Sequence, residues 1–220
     1  MDLFPLFNSL RIAAISSVLV FFVGVAAAYG AARCSPLVKG ALDVVLTLPL
    51  VLPPTVVGYL LLLALGPRRA LGALVLRLWN VKLVMHWWSA VLAVSVVTFP
   101  LMYRTARGAF ESFDETLADA GRTLGLSERY IFWRIRMPCC RPGILAGAVL
   151  AFARALGEYG ATSMIAGYIP RRTATVSTEV YQLWRTGDDA RALFWVVVNL
   201  VISMVVLMLV NHLERKEGRA

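Results

Sequence analysis

Between Ile12 and Ala32 the chain carries twenty-one consecutive residues without a charged side chain. About 20 apolar residues in a helix span the hydrocarbon core of a bilayer. The run lacks the cluster of positive charges that opens a signal peptide, having only Arg11 nearby, and it exceeds the usual length of a signal core. It therefore reads as an uncleaved membrane span.

Four more apolar runs follow: Val44 to Leu65, Val84 to Met102, Gly143 to beyond Leu156, and Ala192 to Val210. In lipid every backbone polar group needs an internal partner, so such runs must be helical. The expectation is an all-α polytopic bundle of about five spans, residues 1–220 forming one transmembrane domain. Composition agrees: 59% of residues are hydrophobic and 16% charged, against about 45–50% and 25% in soluble domains.

The second run contains Pro49, Pro53 and Pro54. Proline removes a donor from the helix ladder. Lipid tolerates this where neighbouring helices or a water-filled cavity satisfy the freed groups, so this span should pack inside a bundle, kinked or broken. After it comes a loop, Gly66 to Lys82, whose segment Leu71–Leu78 could lie along the interface as a short amphipathic helix. Trp79, Trp87 and Trp88 sit where headgroups are expected.

The formal net charge is +9, from 22 basic and 13 acidic residues. In a soluble chain that would suggest nucleic acid; in a polytopic one, basic residues collect in cytoplasmic loops. Five spans place twelve basic residues on the side of Arg33, Lys39, the 104–142 loop and the tail (Arg215, Lys216, Arg219), and nine on the side of Arg11, Arg68 and Arg171. The first side is read as cytoplasmic, with the N-terminus outside and no nucleic-acid partner. The three cysteines, Cys34, Cys139 and Cys140, form no metal or disulfide pattern. His86 and His212 lie near span ends without metal-ligand neighbours.

Residues 104–142 form the longest polar stretch and are rich in Arg. Two helices with a break are expected. Ser112 and Glu115 would start the first as a capping box. Phe113, Leu117, Ala120, Gly121 and Leu124 would share a face, and Gly125 would stop it. Ser127 would cap the second, with Ile131, Phe132 and Ile135 on its apolar side and Pro138 ending it; Tyr130, Trp133 and Ile135 make this helix apolar enough to pack on membrane helices.

Within this stretch stand Asp119-Ala120-Gly121, then Gly125 after three residues, then Ile135-Arg136-Met137-Pro138 after nine more. The pattern resembles the E-A-A-x3-G-x9-I-x-L-P loop of ABC importer permeases, with Asp for Glu, Gly for Ala and Met for Leu. Further stretches are similar to the molybdate subgroup: Leu48 to Leu61, Phe99-Pro100-Leu101-Met102, Arg122-Thr123-Leu124-Gly125 and Ala151 to Thr162. The resemblance runs from about residue 9 to 212, without the extra leading span of six-span members.

This resemblance implies the permease fold of type I importers and a pathway-forming subunit rather than an enzyme. It implies as partners an ATP-binding cassette ATPase that binds the nucleotide, a second copy of the chain, and an extracytoplasmic oxyanion-binding protein. No G-x-x-x-x-G-K-[ST] loop is present, so no cofactor is expected on this chain. By resemblance Asp119, Ala120, Gly121, Gly125, Ile135 and Pro138 form the coupling loop to the ATPase, and Arg122 would contact an acidic patch. Tungstate or sulfate remain alternative substrates.

A doubly charged oxyanion cannot cross hydrocarbon bare. Its pathway should offer hydroxyls, N–H groups, helix N-termini or a cation. Thr55, Ser95, Thr98, Thr162 and Ser163 are candidates, with Pro53 and Pro54 at the proline break; each hydroxyl is also explained as helix packing. Arg154 and Glu158 stand at i and i+4 inside or at the end of a span and could be a functional pair or a self-neutralising one. A membrane-embedded enzyme or assembly factor would want more carboxylates or histidines inside spans. A membrane-anchored helix–turn–helix regulator would want base-reading side chains on its second helix.

Overall fold

The computed structural model describes residues 2–217, with side chains described to Met208 except that of Ala70. All regular elements among the described residues are helical: α1 (Phe4–Ala32), α2 (Pro36–Val51), α3 (Pro54–Leu65), α4 (Ala70–Trp79), α5 (Trp87–Glu111), α6 (Glu115–Thr123), α7 (Glu128–Ile131), a π-turn (Phe132–Arg136), α8 (Met137–Leu156), α9 (Gly160–Ile165), α10 (Val176–Arg185) and α11 (Asp189–Glu217). Four helical rods are long and apolar enough to cross a membrane: α1, α5, the rod from Glu128 to Leu156, and α11. The pair α2 and α3, bent by 110° at its break, brings the count to as many as five.

Helix α5 is the centre. It packs against α1 on one side and α8 on another, and α2 and α9 also lean on it. Its small residues Ala90, Ala93 and Ala106 are wholly buried; small side chains let membrane helices approach closely. By contrast α11 is almost bare, with only 11% of its apolar window buried, and α2 buries no residue fully. Those faces await lipid or another chain.

Several boundaries differ from the sequence expectation. The second span begins at Pro36 rather than Val44, and its prolines break it outright at Leu52–Pro53 instead of kinking it. The third starts at Trp87 and continues to Glu111, beyond the expected Met102. Ser112 is therefore the C-cap of α5, its Oγ donating back to Ala109 O at 3.1 Å, and the Ser112–Glu115 capping box does not form. Asp114 caps α6 instead, accepting from Thr116 N at 3.0 Å. Pro138 ends nothing. The π-turn at Phe132–Arg136 resets the ladder just before it, and Pro138 falls in the first turn of α8, where a missing N–H is tolerated.

The expected helix near Leu71–Leu78 is α4, and His86 is the N-cap of α5, stacked on Trp88 at 5.6 Å. Helix α11 continues to Glu217, past the expected Val210. The side chains of His212, Arg215 and Lys216, and all of Arg219, lie outside the described residues.

Candidate functional site

Two places gather the residues singled out in the sequence: the turn between α6 and α7 at one end of the bundle, and the two helix breaks, between α2 and α3 and between α8 and α9.

Helix α6 lies across the root of the rod that becomes α8. Gly121 is what lets it sit there. A Cβ at that position would come within 3.1 Å of Ile131 Cγ1 and 3.3 Å of Ile135 Cδ1. Ala118 is wholly buried beside it, with Phe113 and Ile131 in the same cluster. Gly125 makes the turn at φ +75°, a left-handed conformation that costs other residues strain. Its N–H reaches Arg122 O, and Leu126 N–H reaches Gly121 O, which closes the end of α6. Ser127 caps α7 as expected, accepting from Tyr130 N at 3.3 Å.

The face of α6 is not the one the spacing suggested. Phe113, Ala118 and Gly121 turn inward, whereas Leu117 is 46% and Leu124 78% exposed. Ala120 is exposed as well. Tyr130 and Trp133, expected to pack on membrane helices, face outward at 47% and 65%, whereas Ile131, expected on the apolar side, is buried. A two-residue shift of helix start, from Ser112 to Asp114 as cap, rotates which positions meet the bundle.

Charges fix the element. Arg122 donates from Nε to Glu128 Oε1 and from Nη1 to Asp119 Oδ1, both at 2.6 Å. Glu128 and then Asp119 thereby hold its guanidinium charged, raising its pKa. Hydrogen bonds from Thr116, side chain first and then backbone, hold the Asp114 carboxyl below its ordinary range. Arg136 makes a bidentate pair with Glu115, at 2.6 and 2.8 Å, and its guanidinium lies 4.6 Å from the Phe113 ring centre. The Glu115–Arg136 pair was not legible in the sequence, since the partners are 21 residues apart and belong to no shared period. Pro138 is exposed at the start of α8.

Helix α8 stops at Leu156 and α9 restarts at Gly160. This break meets the start of α3. A Cβ on Gly160 would lie 3.0 Å from Thr55 N and 3.0 Å from Pro54 Cβ, and one on Gly58 would lie 2.7 Å from Ala161 Cα. The two interrupted spans thus touch at their breaks, bringing Pro54 and Thr55 beside Gly160, and Gly58 beside Ala161. Glu158 lies past the end of α8, 3% exposed. Its Oε1 accepts from Ala161 N at 2.9 Å, and its Oε2 lies 2.6 Å from Arg154 Nη1, with no aligned hydrogen bond to that oxygen. Arg154 remains 37% exposed.

The other hydroxyls divide. Thr162 Oγ1 is buried without a hydrogen-bond partner among the described residues. Ser163 Oγ is turned to Gly160 O at 3.0 Å. Thr98 is wholly buried and donates to Val94 O of its own helix at 2.8 Å. Ser95 lines a separate apolar groove between α1, α2 and α5. Thr98 and Ser95 therefore do not join the breaks.

The family described as binding-protein-dependent transport system inner membrane component matches residues 20–219. The molybdenum transport system permease protein ModB of Escherichia coli strain K12 is 39% identical over 208 residues, covering 94% of this chain and 91% of the relative. Among solved structures, a chain of the MetNI methionine ABC transporter in an inward facing conformation superimposes with a TM-score of 0.73 at 13% identity, covering 96% of this chain and 94% of that one. A chain of a bacterial ABC transporter involved in the import of the acidic polysaccharide alginate gives a TM-score of 0.76 at 21% identity, covering 97% of this chain and 79% of that one.

Proposed function

This chain belongs to the family of binding-protein-dependent transport system inner membrane components, and we propose that it is the permease subunit through which an ABC importer carries molybdate across the membrane. Its fold is the type I importer permease fold, and it is a multi-pass inner-membrane protein. The observation that carries the substrate is the 39% identity to a molybdenum permease along 94% of the chain.

In this reading the whole chain is one permease domain, and the 104–142 segment faces the cytoplasm. The C-terminus lies on that side and the N-terminus outside. Helix α6 offers two exposed leucines, Leu117 and Leu124, with Asp119 and Arg122 beside them, a face suited to the groove of a partner. That partner is the ATPase, which binds and hydrolyses ATP; this chain does neither and holds no cofactor. Gly121 seats α6, Gly125 turns the chain, and the Glu115–Arg136 pair ties α6 to the root of α8. Displacement of α6 then moves a continuous rod whose far end is the break beside α3. Rocking of two such subunits between outward and inward states follows the ATPase's differential affinity for them.

Molybdate is a tetrahedral dianion. The meeting of two interrupted spans supplies what a bilayer denies it: hydroxyls of Thr55, Thr162 and Ser163, a half-helix start at Pro53–Pro54, and the Arg154 guanidinium. An extracytoplasmic binding protein delivers it to the opposite face, and a second copy of the chain completes the pathway.

The test is uptake of labelled molybdate in a strain lacking this gene, with tungstate and sulfate as competitors. Loss of molybdate uptake that the chain restores supports the reading. Loss of sulfate or tungstate uptake alone replaces the substrate, and no change for any oxyanion removes it.

A further inference from the structure

Helices α1 and α2 both rest on α5 but scarcely touch each other. A groove floored by α5 runs between them. At mid-depth it is an apolar cavity of about 320 Å³, whose walls include Val20 and Val23 of α1, Val45 and Leu46 of α2, and Leu92 and Phe99 of α5. Farther along the same three helices, at the end that carries the α6–α7 turn, lies a second, larger and polar cavity of about 660 Å³, lined among others by Arg33, Lys39, Arg122, Arg136, Glu111 and Glu115.

The polar cavity holds four cations against two carboxylates on its walls. Three of the four are engaged: Arg136 by Glu115, Arg122 by Asp119 and Glu128, and Lys39 by Glu111. Arg33 is exposed and lies 4.1 Å over the Tyr29 ring; behind the Arg122 hydrogen bond, its charge helps hold the Glu128 carboxyl low, but among the described residues no carboxylate is within ion-pair distance of it. Val23 precedes Arg33 by ten residues on one continuous helix, which is about 15 Å of helical rise. That is half of the roughly 30 Å hydrocarbon core, the depth of one leaflet. The polar and apolar cavities are spaced as headgroup and acyl chain are.

We propose that this groove is a binding site for one anionic phospholipid, its phosphate held by Arg33 and Lys39 and one acyl chain lying in the cleft of Val20, Val23, Val45 and Leu46. The membrane position of this face rests on the permease reading above; the binding itself does not depend on which solute is carried. Anionic headgroups attract juxtamembrane basic residues, and a cleft left open between two membrane helices must be filled by something apolar. The Asp43 carboxylate, engaged by Tyr103 and Arg107 between the two cavities, pins α2 to α5, so the groove persists without its lipid. Glu111 holds Lys39 in the absence of phosphate and competes with it.

The full-length chain, purified in a neutral detergent and stripped of lipid, is titrated with phosphatidylglycerol or phosphatidylcholine and read by native mass spectrometry. Phosphatidylglycerol should bind at least about tenfold more tightly, and Arg33→Gln with Lys39→Gln should remove that preference. Glu111→Gln should change affinity in the opposite direction and bind phosphatidylglycerol more tightly, an effect a damaged fold does not give. Val45→Trp, filling the cleft, should weaken both lipids. Equal binding of the two lipids by the parent chain, or no gain on Glu111→Gln, overturns the proposal. Displacement of phosphatidylglycerol by an equal concentration of inorganic phosphate also overturns it, since the site would then take a free anion.

Discussion

The two terminal nitrogens of Arg136 lie 2.6 and 2.8 Å from the two carboxylate oxygens of Glu115. This pair joins the first residue of α6 to the last residue of the π-turn, so the short helix and the long rod move as one body. The Arg136 side chain is 8% exposed, and removing Glu115 strands a nearly buried guanidinium. Loss of such a charged partner costs about 1–3 kcal/mol, less the screening that the 58% exposed Glu115 carboxylate enjoys. If α6 couples this chain to an ATPase as proposed, Glu115→Ala should leave the chain folded and bound to that ATPase while lowering oxyanion uptake severalfold. ATP hydrolysis should be retained and detached from transport, which a side-by-side assay of the reconstituted complex measures.

Gly125 sits at φ +75° with open space where a Cβ would go. The penalty for a side chain there is conformational and not a clash, about 1–2 kcal/mol. Gly125→Ala should lower the thermal midpoint by a few degrees, while Gly125→Asn, which tolerates the left-handed region, should lose less. A larger loss for Asn than for Ala would contradict this account. The check is a melting series in one detergent.

Much of this was legible in the residues. The apolar runs forced membrane helices, and the spacing of Gly121, Gly125, Ile135 and Pro138 marked the α6–α7 turn. Three things were hidden for physical reasons. The capping position moved because Asp114 competes with Ser112, and two residues of shift rotate α6 by more than half a turn, sending Leu117 and Leu124 outward. The proline at 138 reads as a stop in a single ladder, but a π-turn absorbs it. The contact of Gly160 with Pro54 and Thr55 lies between two spans far apart in sequence, where no periodicity reports it; only the glycines and prolines at both breaks hinted at close approach.

Leu117 and Leu124 are 46% and 78% exposed at the end of the bundle, and nothing in the fold of this chain needs them. Leu117→Asp and Leu124→Asp should change stability by less than about 0.5 kcal/mol. If α6 enters a groove on the ATPase, the double variant should still reach the membrane yet fail to co-purify with that subunit. Unimpaired co-purification would place the contact elsewhere.

Arg154 and Glu158 lie 2.6 Å apart at the break between α8 and α9. Glu158 is 3% exposed and fastens Ala161 N–H, so it shapes the break between α8 and α9. Arg154 is 37% exposed in the side chain. If the pair only neutralises itself, removing both charges together should be far milder than removing either, because no buried charge is left uncompensated. If Arg154 meets the passing dianion, the double variant Arg154→Met with Glu158→Gln should assemble and melt normally and still fail to import. We expect the second result: uptake reduced at least about tenfold in Arg154→Met and not restored in the double variant. Recovery of uptake in the double variant would make the pair structural and leave the hydroxyls of Thr55 and Thr162 to carry the anion.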